Sequence, residues 1–246
     1  MKYRDKKYLL IIFSLTAFII RLLPWKYTLV ENGKWVVFLQ PDAYYHLRRA
    51  TIWVQNFPKI ITLDYYMSYP FGAECPWPPL YDWLIAVISL ILGMGKYDVK
   101  IVHLVTALFP PIIASLCIIA TYKVVRKVWK NERIALFASF FAIIMPGMLG
   151  YSTVASGDHH IAETFVGLLF YYYALKIVNG SKDQKIQNKD ILITGLLISV
   201  GLLVWQGEIV FYTIFAIFLI VLFLLNYKKI DFINKVSVSF LYIAII

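Results

Sequence analysis

The chain has 246 residues, 61% of them hydrophobic and 15% charged, with a formal net charge of +10. So few charges cannot clothe a soluble domain of this size. The basic residues fall in short clusters between apolar runs rather than in one aromatic-interleaved patch, so nucleic acid is excluded as the partner and a polytopic, all-α membrane protein is expected.

In chain order, the apolar run 8–23 follows the basic leader Lys2/Arg4/Lys6/Lys7. It lacks a small-residue cleavage site and Arg21 interrupts its end, so it reads as a retained first span rather than a signal peptide. Further apolar segments lie at 80–95, 101–122, 134–150, 161–178, 191–205, 209–226 and from 236 onward. Basic clusters follow at Lys123/Arg126/Lys127/Lys130/Arg133, at Lys176/Lys182/Lys185/Lys189 and at Lys228/Lys229/Lys235. If every segment spanned, the cluster at 123–133 would face outward, against the charge rule.

Setting aside 80–95 restores the parity. That segment follows Pro76-Trp77-Pro78-Pro79, contains Asp82 and ends at Gly93-Met94-Gly95. It reads as a helix lying in the outer interface. The resulting layout has about seven spans and a cytoplasmic N-terminus with the first span at 1–23. A long first external loop covers 24–100, and further spans fill 101–246 with a second external loop at 151–160. Pro110-Pro111 predicts a kink in 101–122. Asn179-Gly180-Ser181 matches a glycosylation sequon but falls on the cytoplasmic side, where it should stay unmodified. Cys75 and Cys117 form no disulfide framework and no metal pair. The last apolar run ends without a polar cap, as expected of a fragment or a split reading frame.

Two polar islands interrupt this pattern, Gln40-Pro41-Asp42-Ala43-Tyr44-Tyr45-His46-Leu47-Arg48 and Ser156-Gly157-Asp158-His159-His160-Ile161-Ala162-Glu163, and together they hold three of the four histidines. Both are placed on the outer face. Asp158 and His160, two residues apart, offer a mixed oxygen and nitrogen donor set that suits Mn²⁺ and accepts Mg²⁺ or Zn²⁺. Equally, Asp158 reads as an N-cap for a helix starting near His159. Asp42 could supply a third ligand or cap its own helix. Glu163 reads either as a partner behind the ligands or as a favourable charge near a helix N-terminus. Arg48 and Arg49 could bind a phosphate group or ordinary lipid headgroups. Trp35, Tyr44, Tyr45, Trp53, Tyr65, Tyr66 and Tyr69 read as an aromatic belt. Trp205-Gln206-Gly207 reads as a tight turn, with a ligand-facing role for Trp205 as the alternative.

Three motifs in order carry a resemblance: Pro-Asp-Ala-Tyr-Tyr-His-Leu-Arg at 41–48, Tyr-Pro-Phe-Gly-Ala-Glu-Cys-Pro-Trp-Pro-Pro-Leu-Tyr-Asp-Trp at 69–83, and Gly-Asp-His-His-Ile-Ala-Glu at 157–163. Together they resemble the STT3 family, the catalytic subunit of oligosaccharyltransferase, and most closely its archaeal single-subunit members. The resemblance implies a GT-C-type glycosyltransferase of the archaeal plasma membrane with an external active site. Its reaction moves an oligosaccharide en bloc, with inversion, from a dolichol-linked phosphate or diphosphate donor to Asn in an Asn-X-Ser/Thr acceptor polypeptide.

The resemblance makes Asp42 the catalytic acid at the acceptor and a metal ligand, with Asp158 and His160 as further ligands to a divalent metal, Mn²⁺ or Mg²⁺. Arg48, His159, Glu163 and Trp205 follow as weaker candidates for donor-phosphate or supporting contacts. An arginine that precedes the second motif in many relatives is replaced here by Tyr151. The family's later acidic loop and its C-terminal domain with a Trp-Trp-Asp motif lie beyond Ile246. The isolated chain is therefore expected to be an incomplete enzyme, partnered by membrane lipids and by a missing C-terminal half. The competing readings are a lipid-phosphate-sugar enzyme of the O-mannosyltransferase type and a transporter or flippase. The latter calls for ionisable groups near the bilayer midplane, where the sequence offers chiefly His103.

Overall fold

The computed structural model describes residues 3–30, 35–182, 186–226 and 230–245. Lys2, Lys185, Lys228, Lys229 and Ile246 of the features above lie outside the described residues. The chain is mostly helical. α1 (Tyr3–Leu22) leads into a short turn of helix, α2 (Trp25–Thr28). The segment that follows folds into a layer of its own: the hairpin β1 (Leu29–Val30) and β2 (Trp35–Val36), α3 (Pro41–Asn56), the hairpin β3 (Leu63–Asp64) and β4 (Ala73–Glu74), and α4 (Leu80–Leu92). The rest is a bundle of α5 (Val99–Trp129), α6 (Glu132–Ile144), the short α7 (Pro146–Gly150), α8 (His160–Lys182), α9 (Asn188–Val204), α10 (Ile209–Leu225) and α11 (Ile230–Ile245).

Among the described residues four stretches are long and apolar enough to cross a membrane: Lys6–Thr28, Val99–Trp129, His160–Gly180 and Gln206–Leu225. The expected total of about seven also counted the shorter α6, α9 and α11. α4 has 13 residues. At 1.5 Å per residue it reaches only about 20 Å, short of the roughly 30 Å of a hydrocarbon core. It lies instead against α3, α5 and α9. α5 continues as one helix through Pro110 and Pro111, both buried.

Local chemistry sets the boundaries. Asp98 caps α5 by accepting from the Lys100 N–H at 2.8 Å. Lys130 closes that helix in the left-handed region (φ 52°), and Asn131 at once caps α6 by accepting from the Arg133 N–H at 2.9 Å. The reversal brings α1, α5 and α6 together at Glu132, which pairs with Lys6 at 3.2 Å and Arg126 at 2.9 Å. Lys176 likewise pairs with Asp190 where α8 meets α9. The basic ends of α1, α5 and α8 thus lie away from the ends that carry the islands.

The main core joins the loop layer to the bundle. Trp53, Tyr81, Ile85, Val102, Val154 and Val166 are buried in one cluster that spans both. Trp53 was expected in the aromatic belt, but it is 2% exposed and donates its indole N–H to the Ile61 carbonyl at 2.9 Å. Tyr44, Tyr65, Tyr66 and Tyr69 are exposed, as a belt requires.

Candidate functional site

The two islands meet. The Leu39 N–H donates to the Ala155 carbonyl at 2.9 Å, and the Ala155 N–H donates to the Ala107 carbonyl of α5 at 3.1 Å. Gly157 sits at φ +59°, and a Cβ there would lie 2.8 Å from the Ala43 Cβ and 2.9 Å from the Phe38 ring. Only glycine allows both this backbone and this approach. On the far side Arg21 of α1 donates to Ser152 Oγ at 2.7 Å and to the carbonyls of Ala17 and Ile143 at 3.0 and 3.3 Å. The loop bearing the second island is therefore held from α1, α3 and α5 together.

Asp42 is not a cap. Gln40 occupies the N-cap of α3 with Pro41 behind it, and Asp42 lies exposed in the first turn. Proline is well placed at that first position, because its missing N–H has no partner there anyway. The carboxylate is near enough for its charge to act on His160. Asp158, in contrast, is 1% exposed. Its Oδ1 accepts from the His159 N–H at 2.6 Å and lies 2.8 Å from His159 Nδ1. Its Oδ2 lies 3.6 Å from His160 Nε2.

That last separation exceeds a hydrogen bond. It is near the spacing of two donors that share one ion at about 2.1 Å from each. The carboxylate oxygen and imidazole nitrogen therefore fit a divalent metal in both chemistry and separation. His160 Nδ1 faces Glu163 Oε2 at 3.3 Å, which ties the ring down from behind. Among the described residues two groups of three donor atoms lie within 4.8 Å of one another: His46, Asp158 and His159, and His159, His160 and Glu163. Asp42 belongs to neither.

The other candidates divide. Trp205 stacks on His159 with ring centroids 4.0 Å apart, and Trp77 closes against Trp205 at 6.0 Å, so Trp205 faces the site. His159 is 2% exposed and its Nε2 has no hydrogen-bond partner. Tyr151 meets the His160 ring edge-on at 4.7 Å. Arg48 does not face this site as a free phosphate binder. Both forks of its guanidinium go to Asp64, at 2.7 and 2.8 Å, and it stacks on Tyr66 at 4.3 Å. The bidentate geometry satisfies the guanidinium. It also holds the Asp64 carboxyl below its ordinary range, mainly through the hydrogen bond from Arg48.

Sequence reasoning did not connect the residues behind Asp158, and Arg49, read as a phosphate or headgroup binder, is instead turned inward among them. His46 Nδ1 lies 2.6 Å from Asp82 Oδ1, and its Nε2 lies 3.1 Å from His159 Nδ1 and 3.7 Å from Asp158 Oδ1. Asp82 Oδ2 pairs with Arg49 Nη1 at 2.7 Å. Burial opposes charge on His46, but Asp82 and Asp158 outweigh it and raise the imidazole to about 9. Burial likewise opposes ionisation of Asp158, and His159 and His46 outweigh it, holding the carboxyl well below the usual range. One signal was available. His46 lies four residues after Asp42, so one helix face carries both. Asp82, a lone acid in an apolar run, had read only as an interruption of a span.

Comparison with known proteins bears on this arrangement. A family model described as the N-terminal part of oligosaccharyl transferase STT3 matches residues 9–246. Dolichyl-phosphooligosaccharide-protein glycotransferase 2 of Archaeoglobus fulgidus is 33% identical over 136 residues, covering 55% of the chain and 22% of that relative. The fold is similar to that of the archaeal oligosaccharyltransferase AglB from Archaeoglobus fulgidus in complex with an inhibitory peptide and a dolichol-phosphate. There the TM-score is 0.84 at 23% identity, over 100% of this chain and 29% of that one. An Archaeoglobus fulgidus oligosaccharyltransferase in complex with Zn and sulfate matches with a TM-score of 0.81 at 24% identity, over 96% of this chain and 30% of that one. The chain thus spans 22% of the length of the curated relative.

Proposed function

The chain belongs to the STT3 family of oligosaccharyl transferases, and on that premise we propose that it carries part of a site for protein N-glycosylation. The reaction is en bloc transfer of an oligosaccharide from a dolichol-linked phosphate or diphosphate to the side-chain amide of Asn in Asn-X-Ser/Thr. The amide nitrogen forms a bond to the anomeric carbon with inversion, the bond from that carbon to the phosphate oxygen breaks, and the amide loses a proton. The observation that carries the reading is the pairing of Asp158 and His160 at 3.6 Å beside the exposed Asp42.

Asp158 and His160 would hold a divalent metal, Mn²⁺ or Mg²⁺, with Asp42 as the third ligand. Such an ion neutralises charge that develops on a phosphate leaving group. Asp42, exposed at the start of α3, orients the acceptor amide and accepts its N–H. Trp77 and Trp205 wall the buried side, so the ionic chemistry faces little water there. The external placement of the site, the cytoplasmic N-terminus and the archaeal plasma membrane belong to this proposal. They are supported by the separation of the basic helix ends from the islands.

The test is transfer from a lipid-linked donor to a sequon peptide, in native membranes whose gene carries Asp158→Ala or Asp42→Ala. Membrane insertion should be normal and transfer lost in both. Unchanged transfer in either contradicts the assignment.

A further inference from the structure

The residues behind Asp158 form a chain that no ligand role requires. Arg49 Nη2 donates to the Trp77 carbonyl at 3.2 Å, and the guanidinium stacks on Trp53 at 4.9 Å. Its Nη1 meets Asp82 Oδ2 at 2.7 Å, and Asp82 Oδ1 meets His46 Nδ1 at 2.6 Å. The His46 ring is wedged between Trp77 and Tyr81, each 4.8 Å away between centroids. It therefore has no room to turn. All four charged groups are close to fully buried: Arg49 6%, Asp82 0%, His46 2% and Asp158 1% exposed.

Proton counting shows what this arrangement does. An Asp82 carboxylate oxygen accepts the hydrogen bond from the His46 Nδ1–H and so fixes the ring orientation. His46 Nε2 is then directed at the pair formed by Asp158 Oδ1 and His159 Nδ1. Two polar contacts hold the inner oxygen of Asp158, the His159 N–H at 2.6 Å and His159 Nδ1 at 2.8 Å, and His46 Nε2 braces that His159 ring at 3.1 Å. The outer oxygen is left facing His160. A ligating carboxylate with one oxygen so held cannot swing its other oxygen away from an ion.

We infer that Asp82 and His46 are a positioning pair, through which the interfacial helix α4 orients Asp158 for metal binding. The pair links α4 to the second island through α3, so three separate stretches of sequence set one ligand's direction. Neither residue touches substrate or metal. Both act through Asp158. The inference rests on the proposed role of Asp158 as a metal ligand.

The test uses the protein purified from native membranes and titrated with Mn²⁺, with free Mn²⁺ read by electron paramagnetic resonance. Asp158→Ala should abolish binding, which checks the underlying reading by itself. His46→Leu keeps the bulk and should weaken Mn²⁺ by about tenfold or more, within the range for lost outer partners of metal ligands. His46→Gln, whose amide reaches towards Asp158 from the same place, should stay within about threefold of the unsubstituted protein. Asp82→Asn keeps the shape but loses the charge and one of the two acceptor oxygens that meet His46 and Arg49, and should weaken binding by about tenfold. It decides the matter if His46→Leu does not insert.

A purely packing role predicts no change in Mn²⁺ affinity for any of the three, or equal losses for Leu and Gln at position 46. Either result overturns the inference. If Asp158→Ala binds Mn²⁺ normally, the metal reading and the inference fall together. If Asp158→Ala abolishes binding while His46→Leu and Asp82→Asn bind normally, the inference alone falls.

Discussion

The site has two halves built on opposite principles. Behind Asp158 lie Arg49, Asp82, His46 and His159, all buried and joined by contacts of 2.6–3.1 Å. In front lie Asp42, exposed on the first turn of α3, and His160, whose side chain is 38% exposed and whose nearest carboxylate oxygens are 3.3 and 3.6 Å away. Buried charges are tolerated only when paired, and the inner half pairs its charges with one another, leaving His159 Nε2 as a polar atom there without a partner. The looser outer half has capacity for a ligand. Under the proposed function, the inner half would supply geometry and the outer one chemistry, with Asp158 belonging to both.

The sharpest way to break this division is to remove divalent ions. Chelation should cut glycan transfer by about a hundredfold or more, restored by added Mn²⁺, while thermal unfolding in detergent barely moves. Unfolding on chelation would place the ion in the inner half instead. Next in size, Asp82→Ala should destabilise the protein by about 3–5 kcal/mol, because it leaves the Arg49 charge buried and unpaired. A thermal shift no larger than that of a surface substitution would refute the buried pairing. Asp42→Ala should change stability by no more than about 0.5 kcal/mol although it removes transfer. A large stability loss there would move Asp42 into the scaffold.

The smallest effect concerns pH. The Asp64 carboxyl is depressed in the fold by Arg48, so its contribution is present above the ordinary carboxylate value of 3.8 and lost as pH falls below it. Because Arg48 is partly exposed, the loss should be about 1 kcal/mol at most. It should vanish in Arg48→Gln, as read from unfolding midpoints at pH 6 and pH 3. A midpoint difference that survives Arg48→Gln would assign the acid sensitivity to another group.

Helix positions were legible because apolar runs between basic clusters leave little choice in a bilayer. The segment 80–95 was set aside to restore the charge parity, and α4 covers Leu80–Leu92, 13 residues. What composition could not reveal was how the long segment between α1 and α5 folds. Its core contacts join residues as distant in sequence as Ala43 and Gly157, and periodicity carries no information on such pairs. The same limit hid Asp82, whose partners His46 and Arg49 lie on another helix. The partner of Arg48 was hidden for a related reason. An arginine beside an aromatic loop reads as a headgroup or phosphate binder, and only the fold shows that Asp64 occupies both of its forks.

The central claim is that the ion sits on the outer side of Asp158, against His160. The most direct test is the nitrogen hyperfine spectrum of Mn²⁺ bound to the purified protein. The account predicts coupling from an imidazole that disappears in His160→Ala. Coupling that persists in His160→Ala would place the ion among His46, Asp158 and His159 and contradict it.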